Sequence, residues 1–542
     1  MNSKQQILIN KIEYLFKFFY ILGILVVLAM LNDTGKDYII ASFMVFMLIY
    51  LFCGLSIPQA FQNVIKQRFH KQQFRNAKTA FKSMMFYVLI LESIAIICAT
   101  FFVERLSGFL HLSKDLPYGI GLFLPLLLLV PVNEIFRNYY LCYNRRITII
   151  ISRALGFFTA LIVAVCVYNP LKEYGEKVNA LLKNDCMDNL YASLTIPISI
   201  LASQILVLLY LMWMYLVYKP YIRKQITNDL TKNNESVFRM IPVMAKAHFA
   251  ANLYKVNIYL LVLIAFVFCS FYNRKAPSLE YVNTSFGILA IVMCVTIIVP
   301  YFVTKAFTLK YIIRYRKMLK NEDMRSVKAY LWNRTHKYFI ITFALTVFFA
   351  VMAENVIYIL TGNVLPQYVV HMQILSFAFS LVPLYSLYSM FLTNIGKAKS
   401  ITIINYISLF ISIGLMFLLY RIPAVGGYGI SIGIVAYFLI VFVFEFFLLE
   451  RESGFNKNIM KLLILPALSA FIMGIVILLL NKAIGVVEYR LVTFLILLGF
   501  LILSTVLYMI LLLVLRCVDE EDISGGFWGR ILYKLGEILH IF

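Results

Sequence analysis

The chain has 542 residues, of which 62% are hydrophobic and only 14% charged, with a mean hydropathy of +0.86. That composition excludes the string of soluble domains that the length alone would allow. A net charge of +23 invites a nucleic-acid partner, but in a membrane chain topology explains Lys and Arg better, and no nucleic acid is expected. The eight cysteines form no C-x-x-C pair and lie mostly in apolar runs, which implies neither a disulfide framework nor a metal site.

Fourteen apolar stretches follow one another, at roughly 12–31, 38–57, 84–103, 118–140, 147–168, 193–218, 240–270, 282–308, 338–361, 368–392, 401–421, 429–449, 462–482 and 491–516. Each is long enough to cross about 30 Å of hydrocarbon. They are continuously apolar and do not alternate, so helices are expected and a barrel is not. The expected fold class is an all-α integral membrane protein. The first stretch shows no small-residue cleavage site and reads as a retained helix. Most Lys and Arg fall in alternate connections, most densely in "KQRFHKQQFRNAK" and "KYIIRYRKMLKNEDMRSVKAYLWNRTHK". The positive-inside rule then puts both termini in the cytoplasm. The longest outer connection, Asn169 to Asn189, has about twenty residues, short for the catalytic loop of a membrane polymerase or glycosyltransferase. With no Gly-rich phosphate loop, zinc motif or nucleophile elbow, no enzyme and no cofactor are expected. At the C-terminus, "GFWGRILYKLGEILHIF" spaces Trp528, Ile531, Leu532, Leu535, Ile538, Leu539 and Phe542 as the apolar stripe of an amphipathic helix lying on the inner leaflet.

The chain also repeats itself. "LVPVNEIFRNYYLCYNRRITII" from Leu129 and "LVPLYSLYSMFLTNIGKAKSITII" from Leu381 share an opening Leu-Val-Pro, a basic turn and a closing Ile-Thr-Ile-Ile. A weaker echo links "SIPQAFQNVIKQRFHKQQFRNAKTAF" to "IVPYFVTKAFTLKYIIRYRKMLKNEDMRSVKAYL". Both pairs lie six stretches apart. An even offset means that the halves cross in the same sense, a parallel repeat of the kind that encloses a midplane site. The expected organisation is an N-lobe over 1–239, a C-lobe over 240–460, two further spans over 461–516 and the tail over 517–542.

Three segments carry a family resemblance: Gly54 to Phe81, "IFRNYYLCYNRRITIIISRAL" from Ile135, and Ser389 to Phe442 with its "NIGKAK" and "GGYGISIG". With these the chain resembles the multidrug/oligosaccharidyl-lipid/polysaccharide exporter superfamily. Within it the chain is similar to bacterial polysaccharide and lipid-linked precursor exporters related to the stage V sporulation protein B and to lipid II flippases. It departs from them at Asn138, where relatives often have Gly, at Asn257, where many have Asp, and in a first helix that lacks their arginines. The resemblance implies fourteen helices, two six-helix lobes plus two added helices, and alternating access. It also implies a polyprenyl-pyrophosphate-linked glycan as cargo in the bacterial cytoplasmic membrane, with membrane lipids and envelope glycan assembly enzymes as partners. A multidrug or cation antiporter is the alternative.

Ionisable groups within spans are costly against lipid and are functional candidates by default. Glu134 and Arg137, three residues apart, share a helix face and can neutralise each other. Arg137, Lys17 and Lys305 lie near span ends expected to be cytoplasmic, where long side chains can snorkel. In the seventh stretch Lys246 and Asn257 share one face of a straight helix, roughly 20° apart, and His248 and Lys255 share an opposite one. Lys255 is too deep to snorkel, about 22 Å into the span. It is the first choice for a substrate-binding cation in a central cavity, with Lys246, Arg137, Glu134 and Asn257 beside it. Glu92, also mid-span, could pair with Lys255 or couple an ion. Five cations (Lys17, Arg137, Lys246, Lys255, Lys305) against three carboxylates (Glu92, Glu134, Glu354) suit a phosphate-bearing substrate.

Overall fold

The computed structural model describes residues 3–518 apart from 110–115, 184, 228, 232, 276–284, 322, 423–424, 455–459, 485–486 and 488, together with Lys534 and Glu537. The expected amphipathic tail falls outside the described residues. Every regular element among those described is helical. Among the described residues twelve helices are long and apolar enough to cross a membrane, and the number reaches fourteen when each of two bent pairs counts as one span. The protein is therefore an all-α, multi-pass membrane protein, and the apolar stretches read from sequence coincide with these helices.

The chain forms two compact units. The N-terminal unit contains α1 (Ser3–Met30), α2 (Asp33–Cys53), α3 (Ile57–His70), α4 (Phe74–Phe109), α5 (Leu116–Cys142), α6 (Arg146–Leu182), α7 (Met187–Ser193), α8 (Thr195–Thr227) and α9 (Val237–Lys275). α3 occupies what sequence suggested was a basic connection. Its Ile57, Ala60, Phe61, Val64 and Ile65 are buried at the three- and four-residue spacing of a one-sided helix, with the basic residues left on the other side. The connection Asn169 to Asn189 is also largely helical, because α6 continues to Leu182 through Pro170. Gly175 is needed there: a Cβ would press on the backbone of Met187 and Asp188.

Sequence placed the start of the second lobe at residue 240, whereas α9 packs on α2, α3 and α4 in the N-terminal unit. The physical reason is a shared core, since Met240, Met244 and Ala251 join Phe61, Phe81, Phe136, Tyr139 and Tyr140 in one buried cluster. The strap between α8 and α9 reinforces this. Asp229 accepts from the backbone N–H of Phe74 at 2.6 Å and of Arg75 at 3.3 Å, capping α4. Arg68 grips both oxygens of Glu235, at 2.8 and 3.0 Å.

From Leu289 onward lies the C-terminal unit. After α10 (Phe286–Met293) a π-helical turn, Cys294–Ile298, leads into α11 (Val299–Lys320). Then come α12 (Met324–Val351), α13 (Ala353–Thr361), α14 (Pro366–Leu375), α15 (Ala378–Asn394), α16 (Ala398–Tyr420), α17 (Tyr428–Ser453), α18 (Leu465–Ile484) and α19 (Arg490–Val514). α12 and α13 are one of the bent pairs, with an angle of 68° at Met352. α12 packs with α18 and α19 around Phe348, Met473 and Phe500.

The repeat seen in the sequence recurs as local geometry inside each unit. α5 ends at Cys142 and α6 begins at Arg146, while α15 ends at Asn394 and α16 begins at Ala398. Asn144 (φ 59°) and Gly396 (φ 90°) hold the same left-handed position of the two turns. In each, the next residue's N–H returns to a carbonyl five residues back: Arg145 to Tyr140 at 2.9 Å and Lys397 to Leu392 at 3.0 Å. That is the Schellman closure of a helix end.

Candidate functional site

The densest group of ionisable side chains within the membrane-length helices lies in the N-terminal unit, where α1, α5 and α6 meet. Glu134 of α5 receives Arg137 Nη1 at 2.7 Å and Arg153 Nη2 of α6 at 2.7 Å, on the same oxygen. From α1, Glu13 pairs with Lys17 at 2.8 Å and lies 3.8 Å from Arg153 Nε. Arg137 Nε donates to Ser152 Oγ at 3.0 Å, and Ser152 in turn donates to the Ile149 carbonyl. The cluster thus joins three cations and two carboxylates. Taking isolated ions out of water costs several kcal/mol each, so such groups persist only when paired and hydrogen-bonded. Arg137 satisfies that condition by pairing inward, and the snorkelling expected of it does not occur.

Around the cluster the polar contacts are few and directed. Tyr20 Oη lies 3.1 Å from Ser203 Oγ, and Asn133 Nδ2 donates to both the backbone and side-chain oxygens of Gln204, at 3.0 Å each. Toward the α5–α6 turn, Arg145 stacks over the rings of Tyr218 and Tyr221, 5.0 and 4.5 Å from their centroids.

The other residues expected from sequence divide. Lys255 is half-buried and feels the charge of Glu134, so it belongs electrostatically to the cluster, and no ion pair joins it to Glu92 among the described residues. Lys246 is exposed and Asn257 is buried, so the two sit in different surroundings. A bend of 58° in α9 lies between them, where Val237–Leu253 meets Lys255–Ser270. His248 is buried instead against α4, its Nδ1 2.9 Å from Tyr87 Oη, while its carbonyl accepts from Ser56. Asn257 keeps both amide atoms without a hydrogen-bond partner, as Glu92 does both carboxylate oxygens, among the described residues.

Glu13, Arg153 and Glu445 were absent from the charge balance read off the sequence. With them counted, the in-span excess of positive charge persists in the N-terminal unit. In the C-terminal unit the charges inside the spans, apart from Arg421, Lys482 and Arg516 at the span ends, are Lys305 against Glu354 and Glu445. Glu13 could have been found from its four-residue spacing to Lys17. Arg153, two turns beyond the Arg145-Arg146 turn, carries no comparable local signal. In the C-terminal unit Glu445 is fully buried, accepts from Ser389 Oγ at 2.6 Å and interacts electrostatically with Lys305. The described residues contain no group of three or more His, Cys, Asp or Glu able to hold a metal ion.

Comparison with solved structures defines the fold. Lipid II flippase MurJ in an inward closed conformation matches with a TM-score of 0.62 at 15% identity, over 92% of this chain and 97% of that one. An inward-facing multidrug resistance MATE family transporter of the MOP superfamily matches with a TM-score of 0.57 at 12% identity, over 82% and 94%. A MATE structure in the bent conformation gives 0.56 at 15% identity, over 84% and 98%. Both kinds of neighbour are members of the MOP superfamily, the one the sequence resembles. The protein has the fold of these membrane transporters. No protein-family model and no curated protein matches the chain by sequence.

Proposed function

We propose that the protein is a flippase that carries an undecaprenyl-pyrophosphate-linked oligosaccharide, a polysaccharide repeat unit or cell-wall precursor, across the bacterial cytoplasmic membrane. It works by alternating access of a substrate cavity, with both termini in the cytoplasm. The observation that carries this reading is the partly buried cluster in which Lys17, Arg137 and Arg153 outnumber Glu13 and Glu134, with Lys255 close enough to add a further positive charge. Fixed guanidinium groups present a planar fork suited to phosphate oxygens, and an ammonium supplies a point charge. A pyrophosphate entering the cavity would compete with Glu134 for the two arginines and draw Lys255 toward itself.

A second reading, a multidrug or cation antiporter, is favoured by two buried acids, Glu92 and Glu445, each with an oxygen that lacks a hydrogen-bond partner among the described residues. The two readings separate in proteoliposomes that carry a fluorescent undecaprenyl-pyrophosphate oligosaccharide in one leaflet. Protein-dependent transfer to the other leaflet, inhibited by an excess of soluble pyrophosphate analogue, is expected. Efflux of a cationic dye without lipid transfer would overturn the flippase reading.

A further inference from the structure

Glu92 stands in the middle of the apolar stretch 84–103 on α4, and none of its surface is exposed. Neither oxygen of its carboxylate has a hydrogen-bond partner among the described residues. The titratable groups that reach it are few. Tyr50 and Cys53 of α2 feel its charge, as does Tyr87 on its own helix. Beyond Tyr87 is His248 of α9, whose Nδ1 is hydrogen-bonded to the Tyr87 hydroxyl. α3, α5 and α8 also pack against α4 but bring no charged group to Glu92 among the described residues.

That setting discriminates between ligands. An ionised carboxylate in such a place faces a desolvation penalty of several kcal/mol with nothing to balance it. A divalent or alkali cation would bring charge but needs several oxygen ligands, as hard cations do, and no metal-ligating cluster surrounds Glu92 among the described residues. A proton needs none.

We propose that Glu92 is a proton-binding site that couples transport. This rests on reading the protein as a transporter, but not on which cargo it moves. The acid holds its proton while the site is sealed. When water reaches the site, the O–H bond of the acid breaks and the proton passes to that water. The Tyr87 hydroxyl, turning away from His248, donates to the carboxylate left behind. The ordinary partner of Tyr87 is thus the switch between an acid that needs no donor and an anion that does. α9 is suited to this exchange, since it bends 58° within two turns of His248.

Two measurements on the full chain decide the proposal. In lipid nanodiscs at neutral pH, the infrared difference between wild type and Glu92→Gln should contain a protonated carboxyl band. An ionised carboxylate band in its place overturns the proposal. In proteoliposomes with an imposed proton gradient, transport of the lipid-linked oligosaccharide and of a cationic dye is followed in parallel with an internal pH indicator. Wild type should accelerate with the gradient, Glu92→Gln should lose that acceleration, and Glu92→Asp should keep it with a displaced pH profile. Gradient-driven transport that survives in Glu92→Gln, or wild-type transport that follows sodium and ignores protons, overturns the proposal. If wild type moves neither cargo, the transporter reading and the coupling role fall together, and the infrared measurement still decides whether Glu92 holds a proton.

Discussion

Arg153 reaches Glu134 from the neighbouring helix at 2.7 Å, on the oxygen that already receives Arg137. One carboxylate therefore balances two guanidinium groups in a place with little water. Replacing Glu134 with Gln keeps the shape but leaves two arginines facing each other. A buried pair broken on one side costs about 3–5 kcal/mol, so Glu134→Gln should lower the melting temperature of detergent-solubilised protein strongly. The double variant Glu134→Gln with Arg153→Met should recover part of that loss, because it removes one uncompensated charge. If the two changes add without coupling in a double-mutant cycle, the cluster is not a unit.

Lys255 differs from the arginines in having no ion-pair partner within bonding distance among the described residues, although it feels Glu134. Its charge is free for a ligand. A hydrogen bond to a charged group is worth about 1.5–3 kcal/mol, so Lys255→Met should slow transfer of a phosphorylated lipid roughly ten- to hundredfold. Lys255→Glu should abolish it while leaving efflux of a cationic dye intact. Equal loss of both activities in Lys255→Glu would mean that the residue holds the fold and does not select the cargo.

The contrast between these residues shows what the chain reveals before it folds. Hydropathy is a local property, so the membrane-length stretches were readable, as was the pair Glu134 and Arg137, which lies within a single turn of one helix. Arg153 and Glu13 come to that pair from other helices, and no spacing announces such an approach. The bend in α9 has no sequence marker either: Pro242 lies well before Tyr254, where the two straight segments meet. Face arithmetic for Lys246 and Asn257 assumes a straight helix, and the two stand on opposite sides of that bend. α3 was readable in principle from its one-sided apolar spacing, but its basic residues gave it the look of a connection.

Asp229 ties the strap between α8 and α9 to the first turn of α4, accepting from the Phe74 and Arg75 amides. Thr231 Oγ1 donates to the same oxygen at 2.8 Å. Loss of an N-terminal cap costs about 1 kcal/mol. Asp229→Ala should therefore lower stability by about that amount and speed amide hydrogen exchange in the first turn of α4. Asp229→Asn, which still offers a side-chain oxygen, should lose less. An unchanged exchange rate in Asp229→Ala would show that the strap does not hold the turn.

Asn144 and Gly396 occupy the same left-handed position of two equivalent turns, yet only one is glycine. Asn tolerates that conformation better than other side chains because its short amide can bond locally, whereas a typical L-residue there costs about 1–2 kcal/mol. A Cβ added at Gly396 would meet nothing within 4 Å, so Gly396→Ala tests the backbone alone, without a steric clash. It should destabilise the protein by about 1–2 kcal/mol, and Gly396→Asn by less. Asn144→Gly should be close to neutral, since the relief of backbone strain and the greater entropy of the unfolded glycine act in opposite directions. Denaturant unfolding of the three variants checks the order. If Gly396→Ala is silent, the turn after α15 relaxes in a way the turn after α5 does not, and the two helix pairs share a sequence pattern without sharing the energetics of their turns.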